Sequence, residues 1–592
     1  MNKNAESPET PPAAAKPSLR ARLRDHHLLQ SAGIILETPG KRRVGLVTSV
    51  IIFLLSIGVV LGTLGIQLLG GSSKALPPIK AHKDIPEVAA TTYADSLNIE
   101  MPGDASTFPD STCPALSSTW VKDENQKPGV TMQMSDWANL DLANPASSTL
   151  WLDKESVSCG ESFGVHASLY NNHHFSFQDG PRTIQALRIG WYNGAGARLI
   201  WTSKPIQLSE QAMPKAQGSV RMVQTKWPTT LKVDVTNDWV PGFYLINTVS
   251  PSGTIEGSYP LVVRSPAGSS ALALIHSSMT WNAYNTFGGY SLYLVPGGTQ
   301  DERRAERSRV ASFDRPIVGS GANHIRRDAL PIVQFMEKQG LNVDQYMDTD
   351  IDQWPSITEK YNGLVMSGHS EYATRRMQSA LFAARNNGTN LAFLGGNSIY
   401  WQARMNSSPT GKERHIVEYR SSTDDPVTDP NNVTIQFDDK RVNVPSTLLT
   451  GELTDGVHVY GSMQAVSIPS WLGLPANAHI DGLDPTSEVE RTFPGPQSPP
   501  NIKVIMRGNL KLTTPLKVTS SLRTDHPIAE TSWYAAPSGA AVFNAGYTTW
   551  ACNLMDSCLL TQVDEKTRSV IETMATKVLT LWQTKAVGAT LK

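Results

Sequence analysis

Cysteine is the first scarcity. The 592-residue chain has four, Cys113, Cys159, Cys552 and Cys558, and none between positions 159 and 552. A thiol nucleophile is therefore excluded from the middle of the chain, and with it a thiol-dependent amidotransferase chemistry. An excess of either charge is missing too. The formal net charge is −1, and no Lys/Arg-rich stripe runs through the later sequence, so nucleic acid is excluded as a partner. Several catalytic signatures are also absent. No Gly-x-Ser-x-Gly elbow occurs; "GNSIY" at 396–400 comes closest and lacks the second glycine, which disfavours an ordinary serine hydrolase. There is no His-Glu-x-x-His, no Gly-Lys-Ser/Thr phosphate loop and no convincing dinucleotide fingerprint.

What is present begins with a long apolar run. Residues Val44 to Leu69 carry no charge over 26 positions, enough for one slightly tilted transmembrane helix. Residues 1–43 hold eight Lys/Arg against four Asp/Glu, so the positive-inside rule keeps that end cytoplasmic. The expectation is a single-pass cell-membrane protein with its bulk outside, contacting the bilayer through residues 44–69. A cleaved signal peptide is the rival reading, but leader and apolar stretch are both long for one. In an exported chain an even, sparse cysteine set reads as disulfides. Cys552 with Cys558 and Cys113 with Cys159 is the favoured one of three pairings.

Along the chain, residues 1–43 read as a disordered tail and 70–144, rich in Pro, Ser and Thr, as an extracytoplasmic linker. From 145 to 265 short alternating runs such as "TIQALRIGWY" and "GFYLINTV" predict a β-sandwich. Its Trp191, Tyr192, Trp239 and Tyr244 are either core aromatics, the favoured reading, or sugar-binding platforms. From 266 to 592 the period changes. "ALALIHSS", "LNVDQYM", "GLVMSG", "NLAFLGG" and "AAVFNAGY" read as strands. Ile325–Gln339, the face of Met377, Ala380, Leu381 and Ala384, and 563–585 read as helices. This predicts an α/β domain with a doubly wound parallel sheet.

Chemistry gathers at two strand exits. In an open parallel sheet, ligands bind beyond the carboxyl ends of strands, where loops diverge. Tyr372 follows one such exit and Tyr400 the next, while Gly368, Gly395 and Gly396 permit sharp turns there. His369, Ser370, Glu371 and Asn397 bring polar groups to the same crevice. Exit glycines, core-capping tyrosines and a chance His-Ser-Glu triplet are the bland alternative.

Several segments together resemble the large (beta) subunit of N,N-dimethylformamidase and its relatives. They include "RIGWYNGAGARLI", "TWNAYNTFGGYSLY", "YMDTDID", "SGHSEY", "FLGGNSIYW", "GLDPTSEVERTFPG" and "AVFNAGYTTWACNL", in one order over roughly residues 145–585. The resemblance implies a sandwich followed by a domain similar to class I glutamine amidotransferases. It also implies a mononuclear Fe(III) held by Tyr372, Tyr400 and Glu488, with a metal-activated water attacking an amide carbonyl. Phenolate and carboxylate are hard oxygen donors suited to that ion. His369, Glu371 and Asn397 are then the catalytic candidates around it. Ala373, Thr486, Ser487 and Glu490 depart from the family's Trp, His, Tyr and Asp. The expected function is a metal-dependent hydrolase of linear amides or related C–N bonds, acting on a small amide or envelope-derived substrate, with a homo-oligomer or a small partner subunit open. The alternative is a non-catalytic envelope or glycan-binding protein.

Overall fold

The computed structural model describes residues 85–103, 106–109, 112–131, 148–169, 180–297, 305–513, 526–555 and 563–591. Its largest sheet has ten strands. Nine of them, in chain order, are β1 (Leu272–His276), β2 (Val343–Met347), β3 (Gly363–Ser367), β4 (Asn390–Leu394), β5 (Glu452–Ala465), β6 (His479–Thr492), β7 (Lys503–Asn509), β8 (Ile528–Ala535) and β9 (Ala541–Asn544). The tenth, Lys511–Leu512, pairs with β5. The order across the sheet is β2-β1-β3-β4-β9-β8-β7-β5-β6.

Strands β1, β3 and β4 are largely apolar because both of their faces are covered, while β2 carries Asp344 and Gln345. Successive side chains point to opposite faces. Leu272, Leu274, Val365, Ala392, Leu394 and Phe543 accordingly enter one apolar cluster, and Ala273, Ile275, Leu364, Met366, Leu391, Phe393 and Val542 enter the other. Those five strands, β2-β1-β3-β4-β9, are mutually parallel. From β9 onward every pairing is antiparallel. A mixed sheet therefore replaces the doubly wound, glutamine-amidotransferase-like parallel sheet expected for 266–592. The long β5–β6 hairpin accounts for the difference. Its register shifts at four places between Thr454 and Met463, so its alternation is too broken to read as strand.

Upstream, a six-stranded sheet (Val130–Thr131, Gly196–Thr202, Thr183–Ile189, Gly242–Val249, Ile255–Val263 and Ser156–Val157, in that order) accompanies a three-stranded sheet of Ser148–Leu152, Ser162–Leu169 and Leu231–Asp234. Leu150, Leu152, Phe163 and Val165 of the smaller sheet share one core with Ile184, Ala186, Phe243 and Leu245 of the larger. Tyr192, Trp239 and Tyr244 are buried in this region, and Tyr244 Oη donates to Val240 O at 2.6 Å. Trp191 lies under the Lys338 ammonium, 5.3 Å from its ring centroid.

Cys113 and Cys159 form a disulfide. Cys552 is disulfide-bonded as well, and Cys558, its expected partner, lies outside the described residues. Among the described residues no helix is long and apolar enough to cross a membrane. The longest helix named here, Glu565–Leu581, buries Ile571, Met574, Ala575, Val578 and Leu579 along one stripe, the pattern of an amphipathic helix packed on a protein core. The single-pass membrane placement is corrected on that ground; the tail and the 44–69 segment that prompted it lie outside the described residues.

Candidate functional site

The exits of β3 and β4 pack backbone against backbone. A Cβ on Gly395 would stand 1.8 Å from Gly368 O, so no other residue fits there. Gly368 itself has φ +63°, a conformation glycine adopts at little cost. Beyond the glycines the exits join again, Tyr372–Ala373 pairing in parallel with Trp401–Gln402. Between them Asn397 and Ile399 have φ +50° and +52°. For a β-branched residue that is a strained backbone, the kind that clusters where a site is held in place.

Asn397 is the hub. Its Nδ2 donates to Glu488 Oε2 at 2.6 Å and lies 3.2 Å from His369 Nε2. Its Oδ1 accepts from Thr454 Oγ1 at 2.5 Å. His369 Nε2 is 3.6 Å from both Glu371 Oε2 and Glu488 Oε2, so two carboxyl groups flank one imidazole nitrogen. Glu371 is anchored on its other oxygen. Tyr293 Oη and Trp401 Nε1 donate to Oε1 at 2.6 and 2.9 Å, and Oε2 has no hydrogen-bond partner. Glu488 lies at the mouth, its side chain 18% exposed against 4% for Glu371. None of these residues lines the 310 Å³ cavity found between Glu155, Arg264, Asp350 and Glu413.

Burial raises both carboxyl groups, and neighbouring guanidinium charges and donors draw each part of the way back. Glu488 is pushed up to about 8 by burial and by Glu371, against the pull of Arg327 and Asn397. Glu371 is raised by burial but drawn back by Arg420 and by Tyr293, Tyr284 and Trp401. His369 is held well below the usual imidazole range by burial and by His324 and Arg327, so it is neutral.

Sequence reading missed three contributors. Tyr284 and Tyr293 stack at 4.1 Å, both inside the "TWNAYNTFGGYSLY" segment, which carried the signal. Arg420 sits 4.1 Å over the Tyr293 ring and 4.6 Å over Trp401, in a loop beyond the strand Gly411–Val417 with no motif around it. The third is a π-turn at Ile325–Ala329 inside the expected helix, a form that recurs at functional sites. There Arg327 Nε donates to Asp328 Oδ1 at 2.7 Å, and the His324 ring lies 5.3 Å from that of His369.

The expected iron ligands are dispersed among different partners. Tyr372 Oη accepts from Arg420 Nη2 and donates to Tyr293 Oη at 2.7 Å. Tyr400 Oη accepts from Gln436 Nε2 at 2.6 Å, and Glu488 faces Asn397. A metal beside Tyr372 would share its oxygen with a guanidinium, an unfavourable like-charge contact. Among the described residues no group of three or more His, Cys, Asp or Glu side chains is arranged to hold a metal ion. With Tyr372 Oη held by Arg420 and Tyr400 Oη by Gln436, the residues as placed do not fit the implied iron.

A family model described as N,N-dimethylformamidase beta subunit-like, C-terminal, matches residues 183–565. The chain belongs to this family. Among curated proteins no sequence matches it. The match takes in β1 to β9 and every residue of the cluster.

Proposed function

We propose that this dimethylformamidase-like protein hydrolyses the C–N bond of a small linear amide by acid–base catalysis between Glu371 and Glu488. The observation that supports the reading is the pair itself. Two carboxyl groups flank His369 Nε2 at 3.6 Å, one gripped by two side-chain donors and the other by Asn397 alone, an asymmetry that lets one serve as base and the other as acid.

Glu371, anchored by donors and faced by Arg420, is the carboxylate, and its unpartnered Oε2 accepts a proton from water. The water oxygen bonds to the carbonyl carbon. Glu488, protonated up to about 8, gives its proton to the leaving nitrogen as the C–N bond breaks. A carboxylic acid and an amine result, and Glu371 and Glu488 exchange protons with solvent to reset. Neutral His369 and Asn397 orient Glu488. Amine release from a panel of formamides and acetamides by the full chain tests this. Glu371→Gln is expected to lower kcat by about 10²- to 10⁴-fold, the usual contribution of a positioned base. Turnover unchanged in that variant would overturn the assignment.

A further inference from the structure

Three side chains near Glu371 form a hydrogen-bond chain with one direction. Arg420 Nη2 donates to Tyr372 Oη, Tyr372 Oη donates to Tyr293 Oη at 2.7 Å, and Tyr293 Oη donates to Glu371 Oε1 at 2.6 Å. The source is a permanent cation and the end a carboxylate, so each phenol has its hydroxyl proton committed towards Glu371. The guanidinium is fixed over two aromatic faces, Tyr293 at 4.1 Å and Trp401 at 4.6 Å, where cation–π attraction holds it with little freedom. Trp401 also donates its indole N–H to Glu371 Oε1, so the residue that seats the cation also grips the anion. Linked polar groups at low dielectric polarise one another. Tyr372 Oη, expected as a phenolate ligand, is here a neutral relay.

We infer that Arg420 is the resident cation of the site: through Tyr372 and Tyr293 it positions Glu371, and the site takes up no iron at Tyr372. Arg420, Tyr372 and Tyr293 are then positioning residues, acting on the reaction only through Glu371. The kinetic side of this inference rests on the amidase reading; the metal side does not.

The metal side is read on the full chain, treated with chelator, incubated with ferrous iron in air or with ferric citrate, and desalted. Far less than one iron per chain and no visible absorption band are expected. About one iron per chain, with a visible phenolate-to-iron band that disappears in Tyr372→Phe, would overturn the inference whether or not any amide is turned over. On the kinetic side, Arg420→Met is expected to lower kcat more than KM changes, with Arg420→Lys recovering part of the loss. Tyr293→Phe, which interrupts the chain while leaving the guanidinium and the ring, is expected to lower kcat by about tenfold, the scale of one hydrogen bond to a charged group. Arg420→Met and Tyr293→Phe proteins that fold and keep wild-type kcat would overturn the positioning role.

Discussion

At the residue scale, two glutamates are distinguished by their hydrogen-bond partners. Both face guanidinium charge, but Glu371 receives two side-chain donors on one oxygen, whereas Glu488 has a single side-chain donor, Asn397. Glu371 is therefore ionised first as pH rises. The profile of kcat/KM is expected to climb as Glu371 loses its proton and to fall as Glu488 loses its own near 8, a bell reporting the free enzyme. Glu488→Gln should abolish that falling limb. The sequence made part of this legible. "SGHSEY" and "GGNSIY" placed His369, Glu371 and Asn397 at strand exits, and the resemblance supplied Glu488. The partner assignments for the tyrosines were beyond it, because adjacent positions on paired exits can face different neighbours: Tyr372 meets Arg420, and Tyr400 meets Gln436.

At the element scale, the site depends on how closely β3 and β4 leave the sheet together. Gly395→Ala is expected to cost at least about 3 kcal/mol, the upper part of the overpacking range, because its Cβ would collide with backbone at Gly368. A shift of the urea midpoint measures it. The π-turn supports the same exit from below. Ser367 Oγ donates to Asp328 O, and Asp328 is paired with Arg327 and His324. Burial alone would raise the Asp328 carboxyl, but Arg327 and His324 hold it down to about 2. Removing one member of a buried pair leaves a charge uncompensated, so Asp328→Asn should lose about 3–5 kcal/mol by denaturant titration. Periodicity predicted a helix here and the structure has one from Leu330–Lys338. The π-turn that precedes it is a single turn, and Leu330 to Glu337 beyond it are buried all round, so no 3.6-residue stripe marks the irregularity. The β5–β6 hairpin was hidden by its bulges in the same way.

At the scale of the whole molecule, buried carboxyl groups set an unusual pH dependence of stability. Asp348 and Glu490 are pushed up to about 7, and Glu418 and Glu488 to about 8, in each case chiefly by burial. The folded state then holds protons that the unfolded chain releases from about 4 upward. Its stability from these groups is full below the unfolded value and is lost as pH rises towards 8. His276, pushed down to about 4 by burial, acts oppositely: its contribution is lost as pH falls from 6.5 through 4. The melting temperature should therefore peak in mildly acidic buffer and decline towards pH 8, with the decline shallower in Glu418→Gln. A melting temperature that climbs steadily from pH 6 to 8 would contradict this. The central claim, acid–base amide hydrolysis by the Glu371–Glu488 pair, is tested most directly by one measurement: amine release from a small formamide by chelator-treated full chain between pH 5 and 9. Turnover with a bell-shaped profile falling near 8 is expected. No amine from chelator-treated chain, with release restored by added iron, would contradict it.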